Sequence, residues 1–359
     1  MEKYRVGIVG ATGMVGQRFI SLLKDHPWFE VNCVAASARS AGKTYREAVG
    51  ERWAFAWEIP EKVAGMTVVD AADIDEVSKH VDFVFCAVDM KKDEIRALEE
   101  AYAKHEIPVV SNNSACRGIE DVPMVVPEIN ADHLAVIEAQ KKRLGTKNGF
   151  IAVKPNCSIQ SYVPALTPLL DFEPEKVSVC TYQAISGAGK TFKTWPEMVD
   201  NVIPYIGGED EKSENEPLKL WGHVEDGKIV NATLPVISAQ CLRVACSDGH
   251  MAAVSVSFKK KPTIEQIKER WANYETEAQR LELPSAPKPF LQYFEDPSRP
   301  QTRLDRDFQN GFGVSIGRLR EDKLFDYRFV CLSHNTVRGA AGGGILTAEL
   351  LCRKGYIPH

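Results

Sequence analysis

The stretch Tyr4-Arg-Val-Gly-Ile-Val-Gly10-Ala-Thr-Gly13-Met-Val-Gly16 decides the fold of the first half of this 359-residue chain. Residues 4–9 form an apolar run typical of a buried strand, and a helical pattern that includes Val15 and Phe19 follows the glycines. Strand, glycine turn and helix in this order predict a dinucleotide-binding unit, because such a turn lets the backbone and the helix N–H groups approach a pyrophosphate. A tight turn that binds nothing is the alternative.

Further strands and helices alternate downstream of this unit. Apolar runs at 31–36, 81–88 and 107–111 are strand candidates, and a helical pattern covers 92–104. This alternation predicts an α/β fold with a Rossmann-like, doubly wound parallel sheet at the N-terminus.

The pattern of residue types changes after residue 157. Residues 177–182, 234–246 and 252–258 are β-branched or extended in pattern. They predict an α+β second part that carries a mixed or antiparallel sheet.

The length of the chain favours two domains. We expect residues 1–156 to bind the cofactor and residues 157–334 to carry catalysis and oligomerisation. A glycine-led helix within 335–359 is expected to pack back on the first domain.

Composition excludes several classes of function. The chain is 44% hydrophobic and 26% charged with a net charge of -5, so it lacks the excess of positive charge that is typical of proteins that bind nucleic acid or an acidic membrane. No apolar run approaches the roughly 20 residues of a membrane span. The first strand begins by Tyr4, which leaves no room for a signal peptide. The nine cysteines show no paired framework and no metal-binding spacing, so we expect reduced thiols, no metal and a cytoplasmic location.

The loop after the second strand reads Ser37-Ala-Arg39-Ser40-Ala-Gly-Lys43. NAD-selective folds usually carry an acidic residue here to hold the ribose 2′-hydroxyl. This loop offers hydroxyls and two cations instead, which suit a 2′-phosphate and favour NADP. A solvated basic loop is the alternative.

The stretch Lys154-Pro155-Asn156-Cys157-Ser158 joins an apolar strand at 150–153 to a helical pattern at 159–170. At a strand-to-helix turn, backbone N–H groups and the helix dipole favour a thiolate over a thiol, so Cys157 is a candidate nucleophile. A buried structural cysteine is the alternative.

Two further residues are candidates for the same site. A nucleophilic cysteine needs an acid or base within reach, and His250 follows a glycine at the mouth of the strand at 252–258. Arg117 lies just beyond a strand end, where α/β sheets bind ligands, and it could clamp a phosphate. A surface histidine and a surface arginine are the alternatives.

Taken together, these motifs resemble one family, the aspartate-β-semialdehyde dehydrogenases. The resemblance spans nearly the whole chain, and the loop at 37–43 and the segment Gly208-Glu209-Asp-Glu-Lys212 are similar to the archaeal and fungal branch. The motifs that carry it are Gly10–Gly16, Pro155-Asn156-Cys157, Gln183 with Ser186-Gly187-Ala-Gly189, Arg243 with Gly249-His250, and Asn335 with Arg338-Gly-Ala-Ala-Gly342-Gly343.

The resemblance implies a role for each matching residue. Cys157 would be the nucleophile, His250 the acid/base, and Gln183 would orient the substrate. The substrate-binding residues would be Arg243 on the α-carboxylate, Glu209 near the amino group, Arg117 and Lys212 on the phosphate, and Asn156. The NADP contacts would be Gly10, Thr12, Gly13, Met14, Val15, Ser37, Arg39, Ser40, Cys86, Ser186, Gly187 and Asn335.

The chemistry of the implied reaction agrees with these residue types. Thiolate attack on an aldehyde gives a hemithioacetal, hydride loss gives an acyl-thioester, and phosphate cleaves it to an acyl phosphate. His250 would move a proton at the hemithioacetal, which suits a group that titrates near neutrality.

Three points stay open from the sequence. The substrate alternatives are malonyl-CoA or N-acetyl-glutamyl phosphate in place of aspartyl phosphate. A non-catalytic NADPH-binding thiol sensor is the alternative outside this chemistry. The family resemblance further implies a homodimer or homotetramer.

Overall fold

Six strands of the N-terminal half form one parallel sheet in the computed structural model, which describes residues 2–358. Along the chain they are β1 (Tyr4–Val9), β2 (Phe29–Ala36), β3 (Val69–Asp70), β4 (Phe83–Cys86), β5 (Val109–Ser111) and β6 (Ile151–Val153). Their order across the sheet is β3-β2-β1-β4-β5-β6, and each neighbouring pair is parallel. This confirms the doubly wound sheet predicted from the alternation of strands and helices.

Helices connect these strands. They are α1 (Met14–Leu23), α2 (Tyr45–Val49), α3 (Glu61–Ala64), α4 (Ile74–Ser78), α5 (Lys92–Lys104) and α6 (Ile137–Leu144), with 3-10 turns at Gly50–Arg52 and Ala131–Val136. Helix α5 has the predicted bounds. Helix α1 follows Gly13 and buries Phe19, Ile20 and Leu23 against the sheet, as its periodicity predicts.

A mixed sheet of seven strands forms the second half. Its strands are β7 (Pro174–Gln183), β8 (Val202–Ile203), β11 (Val236–Val244), β12 (His250–Phe258), β13 (Leu291–Phe294), β14 (Val314–Glu321) and β15 (Tyr327–Ser333). Strands β9 (His223–Glu225) and β10 (Lys228–Val230) form a separate hairpin. The sheet order is β13-β14-β15-β12-β7-β11-β8, in which β13–β14 and β7–β11 are parallel and the other neighbours are antiparallel.

Strand register brings three predicted site residues to one corner of the mixed sheet. Side chains alternate across a strand, and the buried face of β7 ends at Gln183 while that of β11 ends at Arg243. These two residues are register partners. The antiparallel strand β12 starts at His250 beside them, on the same buried face.

The remaining helices include one that differs from the prediction. They are α7 (Tyr162–Leu166), α8 (Glu209–Leu220), α9 (Ile264–Ala272), α10 (Glu277–Arg280), α11 (Thr302–Asp305) and α12 (Gly342–Arg353). Other turns are 3-10 segments at Ser158–Gln160, Thr167–Phe172, Ile185–Ala188, Pro196–Met198 and Phe308–Gly311, and a π-helical turn at Val337–Ala341. The helix expected at 159–170 is therefore broken into three short pieces.

The sequence Thr263-Ile-Glu-Gln266 predicts a capping box that opens a helix running to about residue 279, and this helix is also interrupted. It ends at Ala272, and a second capping box at Thr276 starts α10. The capping box at Thr263 is confirmed.

Helix α12 returns to the first sheet. It contacts α1 and β5, and Gly344 lies so close to Phe19 that an added Cβ would sit 2.9 Å from the ring. Every residue from Gly342 to Leu351 is buried. Within residues 2–358, no helix combines the length and the apolar character needed to cross a bilayer.

Candidate active site

Cys157 and His250 meet where the two halves of the chain join. The Cys157 Sγ lies 3.4 Å from His250 Nε2, although the residues are 93 positions apart in the chain. Cys157 is half-buried at the start of the 3-10 turn after β6, and His250 is fully buried at the start of β12. The structure thus brings together the candidate nucleophile and the candidate acid/base that the sequence predicted.

The hydrogen bonds of His250 define its tautomer. The backbone N–H of Ala184 donates to His250 Nδ1 at 3.1 Å, so the proton of the neutral ring lies on Nε2, which faces the Cys157 sulfur. Burial and the charge of Arg243 lower the pKa of His250 from 6.5 to about 3. The expectation of a group that titrates near neutrality is therefore wrong for the unliganded protein.

The environment of Cys157 also differs from the expectation. Burial, followed by the negative charge of Glu209, raises the pKa of the Cys157 thiol. A 3-10 turn, and not a regular α-helix, directly follows Cys157, and α7 begins at Tyr162. Lys154, Arg117 and Arg243 act in the opposite direction and favour the thiolate.

Glu209 is the centre of a hydrogen-bonded cluster beside Cys157. Its carboxylate accepts from Asn156 Nδ2 at 3.0 and 3.1 Å, from Gln183 Nε2 at 3.2 Å and from Lys212 Nζ at 2.8 Å. The pKa of Glu209 is lowered despite its burial, because these donors, Lys212 first, stabilise the carboxylate. Four residues predicted separately therefore form one polar unit.

A second carboxylate joins this unit to Arg117. Glu216 accepts from Arg117 Nη1 at 2.9 Å and from the backbone N–H of Asn156 at 2.5 Å. Arg117 and Lys212 both line a cavity of about 270 Å³, whose wall also includes Glu216 and Lys219. The two predicted phosphate ligands thus face one space.

Arg243 and Asn335 hold the loops that surround His250. Arg243 Nη1 donates to the carbonyl of Ala184 at 2.7 Å. Asn335 accepts from the N–H of Gly249 and donates to Ser186 Oγ, each at 2.8 Å. A Cβ on Gly187 would lie 2.8 Å from Arg243 and 3.0 Å from His250, so glycine lets this turn close over both side chains.

The glycine turn fits a dinucleotide. Gly10 has a φ of +92°, and an added Cβ would lie 2.3 Å from the carbonyl of Ala87. Helix α1 begins without a side-chain cap at Gly13, which leaves its first N–H groups available for an anion. Met14 and Ser186 line one cavity of about 150 Å³ between α1 and the second half of the chain.

The other predicted cofactor contacts are dispersed along the edge of the first sheet. Ser37 and Arg39 are exposed and Ser40 is half-buried in the turn after β2. Thr12 accepts from Gln17 Nε2 through its carbonyl, and Val15 lies in the first turn of α1. Cys86 is buried, and its carbonyl and sulfur accept from Asn112 and Asn113, so its contact with a cofactor stays a prediction.

Sequence reasoning missed several residues of this region. The polar, acidic segment 207–221 predicts a loop and helix at the surface, yet α8 turns Ser213 and Glu216, together with the predicted Glu209, towards the site. Their spacing of four and three residues is the signal that could have revealed it. Arg18 in α1 also lines the α1 cavity, with its guanidinium 4.2 Å from the Phe55 ring.

Gly339 and Lys154 were likewise not selected. A Cβ on Gly339 would lie 2.7 Å from Cys157 Cβ, so this glycine backs the nucleophile. Lys154 is a buried cation directly after an apolar strand. Its position beside Cys157 in the sequence was the available signal.

Comparison with protein families gives the class of this architecture. The family model "Semialdehyde dehydrogenase, NAD binding domain" matches residues 5–137, and "Semialdehyde dehydrogenase, dimerisation domain" matches residues 166–338. The chain therefore has both parts of a semialdehyde dehydrogenase.

Individual relatives define the family further. Aspartate-semialdehyde dehydrogenases of Aspergillus fumigatus and Archaeoglobus fulgidus are each 43% identical to the chain, with 99% of this chain covered and 99% and 100% of theirs. That of Schizosaccharomyces pombe is 45% identical, with 98% and 99% covered. A crystal structure of the Candida albicans enzyme with NADP superposes with a TM-score of 0.89 at 39% identity, covering 99% of this chain and 100% of that one. The chain belongs to the aspartate-semialdehyde dehydrogenase family.

Proposed function

We propose that this protein is an NADP-dependent aspartate-semialdehyde dehydrogenase. It interconverts L-aspartyl-4-phosphate plus NADPH with L-aspartate-4-semialdehyde, NADP and phosphate, a step of aspartate-family amino-acid biosynthesis. The observation that carries the proposal is the 3.4 Å contact between Cys157 and His250, where the charges of Arg117 and Arg243 also act on the Cys157 thiol. The activity of the relatives, at more than 40% identity over nearly the whole chain, supports the same reaction.

Cys157 is the nucleophile of this reaction. In the reductive direction its thiolate attacks the acyl carbon, so a C–S bond forms while the bond from that carbon to the phosphate oxygen breaks. The products of this step are an acyl-thioester on Cys157 and inorganic phosphate. The thioester carbon then takes up a hydride, and the resulting alkoxide expels the Cys157 thiolate and leaves the aldehyde.

His250 stabilises negative charge as a neutral hydrogen-bond donor. Its Nε2–H faces the Cys157 sulfur in the unliganded site and would also reach an oxygen on the carbon bonded to that sulfur. The alkoxide collapses to an aldehyde without being protonated, so a donor is sufficient at this oxygen. This role replaces the proton shuttle expected from a histidine with an ordinary pKa.

Four polar residues hold the substrate. Arg243 binds the α-carboxylate with its guanidinium, which has no carboxylate partner within 4 Å among the described residues. Glu209 attracts the amino group, and Asn156 and Gln183 fix the orientation of the Glu209 carboxylate through hydrogen bonds. Such charge-assisted contacts combine affinity with orientation.

Arg117 and Lys212 bind the phosphate. Both line the same cavity, and both are paired with carboxylates, Glu216 and Glu209, in the unliganded protein. An arriving phosphate would compete with these carboxylates for the two cations.

NADP binds along the carboxyl edge of the first sheet. Gly10, Thr12, Gly13, Met14 and Val15 present the turn and the first N–H groups of α1 to the pyrophosphate. When bound, the nicotinamide supplies or accepts the hydride of the reaction. The residues that would contact the rest of the cofactor are Ser37, Arg39 and Ser40 at the 2′-phosphate, and Cys86, Ser186, Gly187 and Asn335 towards the nicotinamide.

The molecule divides into two domains and forms a homodimer, alone or within a homotetramer. We assign residues 1–156 and 335–359 to cofactor binding and residues 157–334 to catalysis and association. The match of residues 166–338 to a dimerisation domain supports the second assignment. The nine unpaired thiols suit a reducing cytoplasm, where we expect the enzyme to work.

The direct test is an assay of the purified protein with NADP, L-aspartate-4-semialdehyde and phosphate, following the absorbance of the reduced cofactor. We expect phosphate-dependent formation of NADPH and a much slower reaction with NAD. Cys157→Ser is the control: it should fold and bind NADPH but lose nearly all turnover.

Two other results would contradict the proposal. NADPH oxidation with malonyl-CoA, and no reaction with the semialdehyde, would assign a different acyl substrate to Cys157. NADPH binding with peroxide oxidation of Cys157 but no turnover would indicate a thiol sensor.

A further inference from the structure

Lys154 is a buried lysine between β6 and the proposed nucleophile. It follows β6, lies three residues before Cys157 and is 2% exposed. Its backbone N–H donates to the carbonyl of Ser111 at 3.0 Å. A Cβ on Gly343 would lie 3.8 Å from Lys154 Cδ, so the side chain packs where α12 continues the turn that backs Cys157. Its position is therefore fixed by the strand end and by this turn.

The Lys154 ammonium is poorly satisfied. Its hydrogen-bond acceptor is the carbonyl of Pro155, and among residues 2–358 no carboxylate lies within 4 Å of it. Lys219, another buried lysine, instead donates to the carbonyls of Arg117, Ile119 and Val122. An ammonium offers three donors, so Lys154 keeps donor capacity that the protein itself does not use.

The electrostatic position of Lys154 follows from these contacts. Burial, followed by the charge of Arg117, lowers its pKa to about 7, whereas Cys157, Glu216 and Glu209 favour its protonated form. A negative charge formed nearby would therefore stabilise the ammonium, and the ammonium would stabilise that charge in return.

Cys157 is the group that needs such a charge. Glu209 opposes thiolate formation, and the neutral His250 supplies a hydrogen bond but no charge. Of the three cations that favour the thiolate, Arg117 is paired with Glu216, and Arg243 faces the position assigned to the substrate carboxylate. Lys154 is left as the cation without a carboxylate partner or a substrate group of its own.

We propose that Lys154 is a positioning residue that stabilises Cys157 as a thiolate before substrate binds. Its ammonium, held on the Pro155 carbonyl, supplies positive charge to the turn that carries the sulfur. No bond to Lys154 forms or breaks in the reaction. The inference rests on the proposed role of Cys157 as the nucleophile.

The test measures the pKa of Cys157 in the unliganded protein. Iodoacetamide alkylation of the Cys157 peptide is followed by mass spectrometry across a pH series for the wild type and for Lys154→Met. We expect the variant to show a pKa higher by about one unit and alkylation about tenfold slower near neutral pH. An unchanged pKa in the variant would overturn the proposal.

Three controls separate charge from packing. Lys154→Arg keeps the charge, so the pKa of Cys157 should stay near that of the wild type. Lys154→Gln is a second neutral variant that should also raise the pKa of Cys157, and it replaces Lys154→Met if that variant fails to fold. Lys62→Met removes an exposed charge from helix α3 and should leave the profile unchanged. Thermal unfolding checks that each variant is folded.

The alkylation readout is independent of dehydrogenase turnover. A shifted pKa in a protein without activity on aspartate semialdehyde would support Lys154 while contradicting the proposed function. Normal activity on aspartate semialdehyde with an unshifted pKa of Cys157 in Lys154→Met would support the proposed function and contradict the role of Lys154.

Discussion

Individual glycines determine how closely the polypeptide approaches the reacting atoms. At Gly187 an added Cβ would collide with Arg243 and His250, and at Gly339 it would collide with Cys157 itself. Gly339 has no positive φ, so its requirement for glycine comes from space and not from backbone conformation. Both positions serve the site, because the atoms that they would displace belong to the proposed catalytic residues.

Gly339→Ala should therefore damage catalysis more than stability. The added methyl lies 2.7 Å from Cys157 Cβ and must displace the nucleophile, and a shift of about 1 Å can cost about 100-fold in rate. Turnover and thermal unfolding would be measured together. Gly65→Ala is the matched control, since a Cβ there meets nothing within 4 Å. Near-normal turnover of Gly339→Ala would show that Cys157 is not held by this contact.

His250 should make the protein sensitive to acid. Its folded pKa of about 3 lies below its ordinary 6.5, so the unfolded chain binds more protons between these values and stability is lost as pH falls through this window. Both proteins should lose free energy of unfolding when the pH falls from about 7 to about 4.5. The loss should be smaller in His250→Asn than in the wild type, by on the order of 2 kcal/mol. Urea unfolding at both pH values measures this difference. Buried His334 also makes both proteins less stable in acid, and its effect is the same in each. If the unfolding free energy falls equally with pH in the wild type and in His250→Asn, His250 is not a source of acid sensitivity.

Helix α8 does two things at once. Its inner face brings Glu209 and Glu216 to the site. Its acidic side chains also cover the edge of β11, because Asp210 accepts from the N–H of Cys241 at 2.8 Å and Glu214 accepts from the N–H of Ala239 at 3.0 Å. Strand β8 pairs with β11 only at its last two residues, so these N–H groups would otherwise be open edge donors. The helix is thus coupled to β11, the strand that carries Arg243.

Removing the carboxylates of Asp210 and Glu214 should weaken the attachment of α8 to β11. Hydrogen bonds to charged acceptors contribute about 1.5–3 kcal/mol each, so Asp210→Ala with Glu214→Ala should lower the free energy of unfolding by about 3 kcal/mol or more. Denaturant unfolding gives the value, and Glu211→Ala, on the exposed side of the same helix, should change it little. Equal stability of the double variant and the control would mean that solvent replaces these bonds without cost.

At the scale of the whole molecule, the mixed sheet leaves one face uncovered. Residues of this face on β7 and β11 alternate with the buried ones, and they include Tyr182 and the strongly exposed Val236 at 63%. Val202 and Tyr205, at 54% and 70% exposure, are further exposed apolar side chains, and Val202 pairs with the end of β11 opposite to Val236. Exposed apolar side chains on an open sheet face are typical of an association surface, in agreement with the proposed dimer.

A charge on this sheet face should dissociate the dimer. Val236→Asp would place an unpaired carboxylate in a buried interface, so we expect a shift towards monomer in sedimentation velocity, with a folded secondary structure. Leu324→Asp is the control: Leu324 is 90% exposed but does not lie on the sheet face that carries Val236, so this change should leave the assembly unchanged. If Val236→Asp remains dimeric, the interface uses another surface.

The sequence by itself determined the parallel sheet, the glycine turn and the identity of Cys157 and His250 as candidates. Strand, turn and helix signals are local, so β1, Gly10 and α1 can be read within one short window. Only the tertiary structure decided that Cys157 and His250 are in contact, that α8 faces inward, and that Lys154 is buried. Burial and pairing across many residues depend on how distant segments pack. The same packing changes the pKa values of His250 and Cys157, which no local pattern encodes.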